Sequence, residues 1–240
     1  MFLNNLNLSS SEYIITLILV FIAYLASITI NGVIQTWVAD TMGDDTPKRE
    51  GYGSWNPLVH IDPIGLIAIF VFRLGWGKFL PFNVDKIYKK NFSLRLILIY
   101  LTEPLVAFFL GLSTFIALIS FVDPSALQYI ANIIFLHNIP LSIIKHALKD
   151  YSSISILGIL LLVSFVILNA FMAALSLIFN GVRFFLTMAV NRNGDIAQYT
   201  DVILMVGPLI IIWFFADPLR LFVLKLIWQG ASLFSQFTGV

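Results

Sequence analysis

The sequence predicts an all-α polytopic membrane protein, and three observations predict it. The 240-residue chain is 59% hydrophobic. Only 11% of its residues are charged, less than half of the roughly 25% usual in soluble domains. Several apolar runs reach the about 20 residues that a helix needs to cross a bilayer. The absence of cysteine excludes disulfides and thiolate metal sites. The net charge is only +1, so its distribution matters more than its sum, and no nucleic acid is expected as a partner.

The elements follow in order. The start, "MFLNNLNLSSSE", carries no Lys or Arg, and no convincing small-residue cleavage site comes after it. Residues 13–38, "YIITLILVFIAYLASITINGVIQTWV", are therefore expected to form a mature first span and not a removed signal peptide. Residues 39–92 read as a polar and basic loop region. Its first part, 39–59, is rich in glycine and proline and predicts turns or a small hairpin. Within it, "PIGLIAIFVFRLGW" at 63–76 is apolar but short, and Arg73 interrupts it. A short crossing, a re-entrant segment and an interfacial helix all fit that length. Spans are then predicted at 94–122, at 153–180, and at 201–216 with its continuation to Trp228. Residues 126–147 are apolar but broken by Asn138 and Pro140. The count is four spans, or six at most, in a single transmembrane domain over 1–240 with no internal repeat.

Charge placement predicts orientation. Of the fourteen basic residues, eight fall between 48 and 95: Lys48, Arg49, Arg73, Lys78, Lys86, Lys89, Lys90 and Arg95. The positive-inside rule places this block on the cytoplasmic side, or on the matrix or stromal side of an organelle. A re-entrant 63–76 keeps the whole block on one side.

Some polar residues stand out against this background. Asn31 and Gln35 lie one helical turn apart inside the first span. Amides there need partners, each bond contributing about 1 kcal/mol. A dry interhelical site is the plainest reading, with a polar ligand, a pathway or a metal shared with other ligands as alternatives. Glu103 sits beside Pro104 within an apolar helix, where an ionisable group is usually paired or faces water. Arg73 is its candidate partner. His60 and Asp62 are bracketed by Pro57 and Pro63. In an extended segment their i, i+2 spacing puts both on one side. A helix cap, or a carboxylate–imidazole pair fixing the hairpin, is the expected role, and Asn56 belongs to the same polar cluster. Gly65, Gly75 and Gly77 permit turns or close helix approach. Trp76 and Lys78 read as an interface anchor, and Lys86–Lys90 as a contact for anionic headgroups. His137 and His146 read as helix-surface residues.

Three stretches carry a resemblance: "NPLVHIDPIG" at 56–65, "GWGKFLPFN" at 75–83 and "DDTPKREG" at 44–51. They resemble, in order and spacing, segments of a bacterial-type branch of the site-2 proteases, the intramembrane zinc metalloproteases of peptidase family M50. The likeness is collinear through about residue 115. It continues in outline at "AALSLIFN" (173–180) and "YTDVILMVGPLIII" (199–212). The resemblance implies a site-2-protease-like helical bundle with a short hairpin or re-entrant segment after the first span. In that family two histidines at i and i+4 hold Zn²⁺, the intervening glutamate is the general base, and a later aspartate before a glycine is the third ligand. Here Asn31 stands at the first histidine position, Gly32 at the glutamate and Gln35 at the second histidine. After Asn180 the chain reads "GVRFFLTMAV" in place of the aspartate motif, and the nearest acid is Asp195. In the middle helix the family's Ala-Gly-Pro-x-x-Asn aligns with Thr102, Glu103, Pro104 and Ala107.

Neutral amides are weak zinc ligands and glycine carries no base. The resemblance therefore implies a divergent member without proteolytic activity, bound metal or other cofactor, a bound lipid excepted. Its expected function is that of a structural or accessory subunit among other integral membrane proteins and lipids. The expected setting is a bacterial inner membrane or a bacterially derived organelle membrane. Two alternatives are a zinc metalloprotease with ligands relocated to His60, Asp62 and a later acid, and a small transporter or ion-path component using Glu103, Asn31 and Gln35.

Overall fold

A computed structural model describes residues 10–123, 126, 127, 149 and 151–193, with scattered positions between 207 and 233. The expected spans at 126–147 and 201–228 fall largely outside the described residues, as do His137, His146 and Asp195. The described elements are α1 (Ser10–Met42), α2 (Thr46–Arg49), α3 (Pro63–Phe72), α4 (Phe92–Phe121) and α5 (Ser153–Asn193), with 3₁₀ turns at Pro57–Val59 and Val84–Lys86. Among the described residues, three helices are long and apolar enough to cross a membrane: Ile14–Met42, Phe92–Phe121 and Ser153–Met188. The chain is thus an all-α polytopic membrane protein, as its composition predicts. These segments are helical because a backbone in hydrocarbon must satisfy its own hydrogen bonds.

α1, α4 and α5 pack on one another. Val20, Ala23, Tyr24 and Ile28 of α1 meet Ala107 and Leu118 of α4 and Ile167, Phe171 and Leu175 of α5 in one buried cluster. The outer face of α4 exposes Leu98, Leu105, Phe108, Phe109, Leu112 and Ile116, the surface expected of a lipid-facing helix. Gly111 lets α4 approach α5 closely. A Cβ there would lie 3.4 Å from Asn169 Cβ and 3.5 Å from the Val166 carbonyl, the small-residue contact that serves helix packing where burial from water supplies no drive.

The segment after α1 excludes one of the three readings of 63–76, the crossing. α3 has ten residues, which rise about 15 Å against a hydrocarbon core of about 30 Å. Arg73 ends it in the left-handed conformation, φ 56°. The chain then turns back: Ile61 bridges antiparallel to Gly77, and the Lys78 N–H donates to the His60 carbonyl at 2.8 Å. Entry and exit lie side by side, so this is a hairpin and not a crossing. The return strand runs tight against α3. A Cβ at Gly65 would overlap the Trp76 carbonyl, and one at Gly75 would sit 2.5 Å from the Gly65 carbonyl. Trp76 is consequently buried, at 3% exposure, with its carbonyl accepting from Tyr24 Oη at 3.0 Å. It cannot be the interface anchor expected from its sequence. Trp37 and Trp55, both about half exposed and edge to face at 6.1 Å, present aromatic surface instead.

Candidate functional site

The address marked by Asn31, Gly32 and Gln35 lies on the inner face of α1, and all three are buried. Asn31 Nδ2 donates to the Ser27 carbonyl one turn back at 2.8 Å, while its Oδ1 is buried without a partner. Gln35 Nε2 reaches across to the Ile99 carbonyl of α4 at 3.3 Å. That carbonyl adjoins the Tyr100 carbonyl, which Pro104 leaves without its helical donor. One amide therefore serves its own helix and the other ties α1 to α4.

Gly32 holds the most informative contact. A Cβ built on it would fall inside the imidazole of His60, overlapping Nδ1 and lying 2.6 Å from Cε1. The ring occupies the space where a side chain at position 32 would begin. His60 is 1% exposed. Its Nε2 lies 2.9 Å from the Ser54 carbonyl. A carbonyl only accepts, so Nε2 carries the proton and Nδ1 is the bare nitrogen facing α1. Nδ1 has no partner. Burial pushes the imidazole below the ordinary histidine range, with the Ser54 hydrogen bond pulling the other way. Tyr52 backs the ring edge-on at 6.1 Å, and Lys78 Nζ lies over the Tyr52 ring at 5.4 Å.

His60 and Asp62 do not lie in one extended segment: His60 has helical backbone angles at the end of the first 3₁₀ turn, whereas Asp62 is extended. The expected carboxylate–imidazole pair is absent, since His60 Nε2 is on Ser54 and Nδ1 makes no hydrogen bond, and the expected cap is present. Asp62 Oδ1 accepts from Ile64 N–H at 2.9 Å and Gly65 N–H at 2.7 Å, closing the start of α3. Asn56 Oδ1 caps the preceding turn through Leu58 N–H at 3.1 Å.

Glu103 is 9% exposed. In place of the expected Arg73, its partner is Asn180 of α5, whose Nδ2 donates to Oε2 at 3.0 Å. One turn on, Arg183 donates to the Leu80 carbonyl at 2.9 Å and lies over the rings of Phe79, Phe82 and Tyr100 at 5.2–5.6 Å. Arg183 thus fastens the loop after α3 to α5. Arg73 itself is buried at 6% exposure. Asn169 Nδ2 donates to Ser27 Oγ and to the Phe165 carbonyl, joining α5 to α1. In the loop, Asp44 is fully buried and accepts from Thr46 and Asn83 N–H. Its neighbour Asp45 pairs with Arg49 and Lys86 at 2.8 Å, and these hydrogen bonds hold its carboxyl below the usual range.

Sequence reasoning missed Asn169, Asn180, Arg183 and Asp44. Three of them sit on one face of α5, at i, i+11 and i+14, and that spacing was the available signal. Their partners lie 77 to 142 positions away, which periodicity does not reveal.

A zinc ion does not fit these residues. The donors at the motif address are two neutral amides. One presents an N–H to Ser27 and the other an N–H to Ile99, and the base position is filled by a ring. Among the described residues no three of His, Cys, Asp and Glu come together as a metal site.

Over 69 residues the chain is 38% identical to the protein named "Putative zinc metalloprotease YwhC" of Bacillus subtilis (strain 168). The match covers 29% of this chain and 31% of that protein, so the chain spans about a third of the length of the curated relative it matches. No family model matches the chain, and no solved structure matches it.

Proposed function

We propose that this chain is a catalytically inactive, site-2-protease-like membrane protein that acts as a structural or accessory subunit of a membrane protein complex. The observation that carries the reading is the His60 ring seated on Gly32. A general base at position 32 would need the volume that the imidazole fills. The neighbouring amides Asn31 and Gln35 serve as intrahelical and interhelical donors, respectively. The partial likeness to a protein named as a zinc metalloprotease supports descent from that kind of scaffold. A scaffold that keeps its helix-contacting faces after losing its base can still hold other membrane helices, an argument from fold analogy.

The relocated-ligand alternative loses ground, because Asp62 is spent as a helix cap and His60 Nε2 is spent on the Ser54 carbonyl. The test is direct. Purified from membranes in mild detergent, the protein is expected to hold no stoichiometric zinc, to leave transmembrane-helix substrates uncut, and to copurify with other integral membrane subunits. Stoichiometric zinc, with helix cleavage that is lost in His60→Ala, would sink the proposal.

A further inference from the structure

Asn180 Oδ1 is buried and has no hydrogen-bond partner, although Nδ2 of the same amide donates to Glu103 Oε2 at 3.0 Å. Asn180 is 1% exposed. A buried acceptor without a donor costs about 1–3 kcal/mol, and in a helix seam at membrane depth bulk water is not at hand to satisfy it. Turning the amide over does not remove the problem. Oδ1 would then face Oε2 at the same separation, oxygen against oxygen, which requires a proton between them. Either orientation leaves the amide oxygen in need of a donor, and Glu103 is the side chain already bonded to this amide.

We infer that Glu103 and Asn180 form a proton-binding site, a neutral carboxylic acid joined to a primary amide across the α4–α5 seam. The acid O–H donates to Oδ1 and the amide N–H donates to Oε2, so the pair satisfies itself with two hydrogen bonds. The ligand of the site is a proton, and its binding converts a carboxylate into the donor that Asn180 lacks.

Among the charged and titratable groups around the seam, Arg183 of α5 opposes the proton, because its positive charge favours an ionised Glu103. Its guanidinium also donates to the Leu80 carbonyl and lies among three aromatic rings. From α4 itself, Tyr100 meets Thr187 at 3.1 Å. From α1, Tyr24 donates to the Trp76 carbonyl. From the loop, His60 donates to Ser54, and Arg73 is buried beyond the end of α3. This inference goes beyond the subunit reading and does not depend on it.

The test uses the infrared spectrum of the full chain in lipid nanodiscs at neutral pH. The chain has only three glutamates, Glu12, Glu50 and Glu103. The expected result is a carboxylic-acid carbonyl band that shifts when glutamate carries a ¹³C carboxyl. It should persist in Glu12→Gln/Glu50→Gln and vanish in Glu103→Gln. In Asn180→Leu the band should move to higher frequency or disappear, because its amide partner is gone. Glu103→Gln keeps the shape and can make both hydrogen bonds with Asn180, so its melting temperature should match that of the parent. Should Glu103→Gln fail to fold, the isotope-shifted band in Glu12→Gln/Glu50→Gln still decides, because Glu103 is then the only glutamate in the chain. An absent glutamate acid band at neutral pH would overturn the proposal. The carboxylate would then be ionised, and water or Arg183 would supply the missing donor.

Discussion

A methyl group on Gly32 would overlap His60, so two residues 28 positions apart compete for one volume. The imidazole is a rigid ring held at its far side by the Ser54 carbonyl and backed by Tyr52, and it cannot swing away as the end of a flexible chain would. Gly32→Ala is accordingly expected to destabilise the fold by about 1–3 kcal/mol, the usual range for overpacking. Removing the ring should relieve it. In a double-mutant cycle Gly32→Ala/His60→Ala should be more stable than the two single losses add up to, and additive losses would mean that the two sites do not share the volume. The same seat should respond to acid. Burial depresses the imidazole below its ordinary value near 6.5, so the unfolded chain binds a proton more readily than the folded one. Stability is then full above the unfolded value and falls as pH drops below it. The melting temperature is expected to decline between pH 7.5 and 5.5 in the parent and to decline less in His60→Gln. Equal slopes in the two proteins would count against a titrating His60.

At the scale of elements, the hairpin built on α3 rests on one cap and one close approach, and these should differ in cost. Asp62 accepts two backbone N–H groups, and Asp62→Ala should lose about 1 kcal/mol, as helix caps do. Gly65→Ala should cost more. Its Cβ would run into the Trp76 main chain, and backbone tied by the Ile61–Gly77 bridge cannot step aside. Thermal melts of the two variants in one detergent give the order, and a milder Gly65→Ala would show that the return strand is loosely held. The same hairpin shows what the sequence makes legible. Pro57, Pro63, Asp62 and three nearby glycines mark caps and turns through local chemistry, and the runs of Leu, Ile and Phe mark the three long helices. Pairings between elements are another matter. Glu103 pointed to Arg73 because both are ionisable in apolar surroundings, but Asn180 took the contact through the register of α4 on α5. Trp76 resembled an anchor because it neighbours Lys78, yet the tight return buries it. The seating of His60 on Gly32 depends on where a loop lands on a helix, and no local pattern encodes that.

At the scale of the molecule, the contacts fix relative helix directions. Along α5 the partners on α4 run backwards: Asn169 lies at Gly111 and Asn180 at Glu103. Hence α5 is antiparallel to α4. The end of α1, the start of α4 and the later part of α5 gather at the basic loop, which Arg183 grips through Leu80. The end of α4 and the start of α5 lie at the opposite end. Because the chain has no cysteine, single cysteines at exposed positions can report this layout without a background. Glu50→Cys and Lys89→Cys probe the loop on either side of the hairpin, and Ser153→Cys probes the far end. All three positions are exposed. A membrane-impermeant maleimide is expected to label positions 50 and 89 from the same side and position 153 only from the other. If the basic residues from 48 to 95 set orientation as positive charge does elsewhere, positions 50 and 89 should react in inside-out vesicles and position 153 in intact cells. Opposite-side labelling of 50 and 89 would make 63–76 a crossing and contradict the hairpin. Same-side labelling with the vesicle types exchanged would leave the fold standing and invert the orientation drawn from charge.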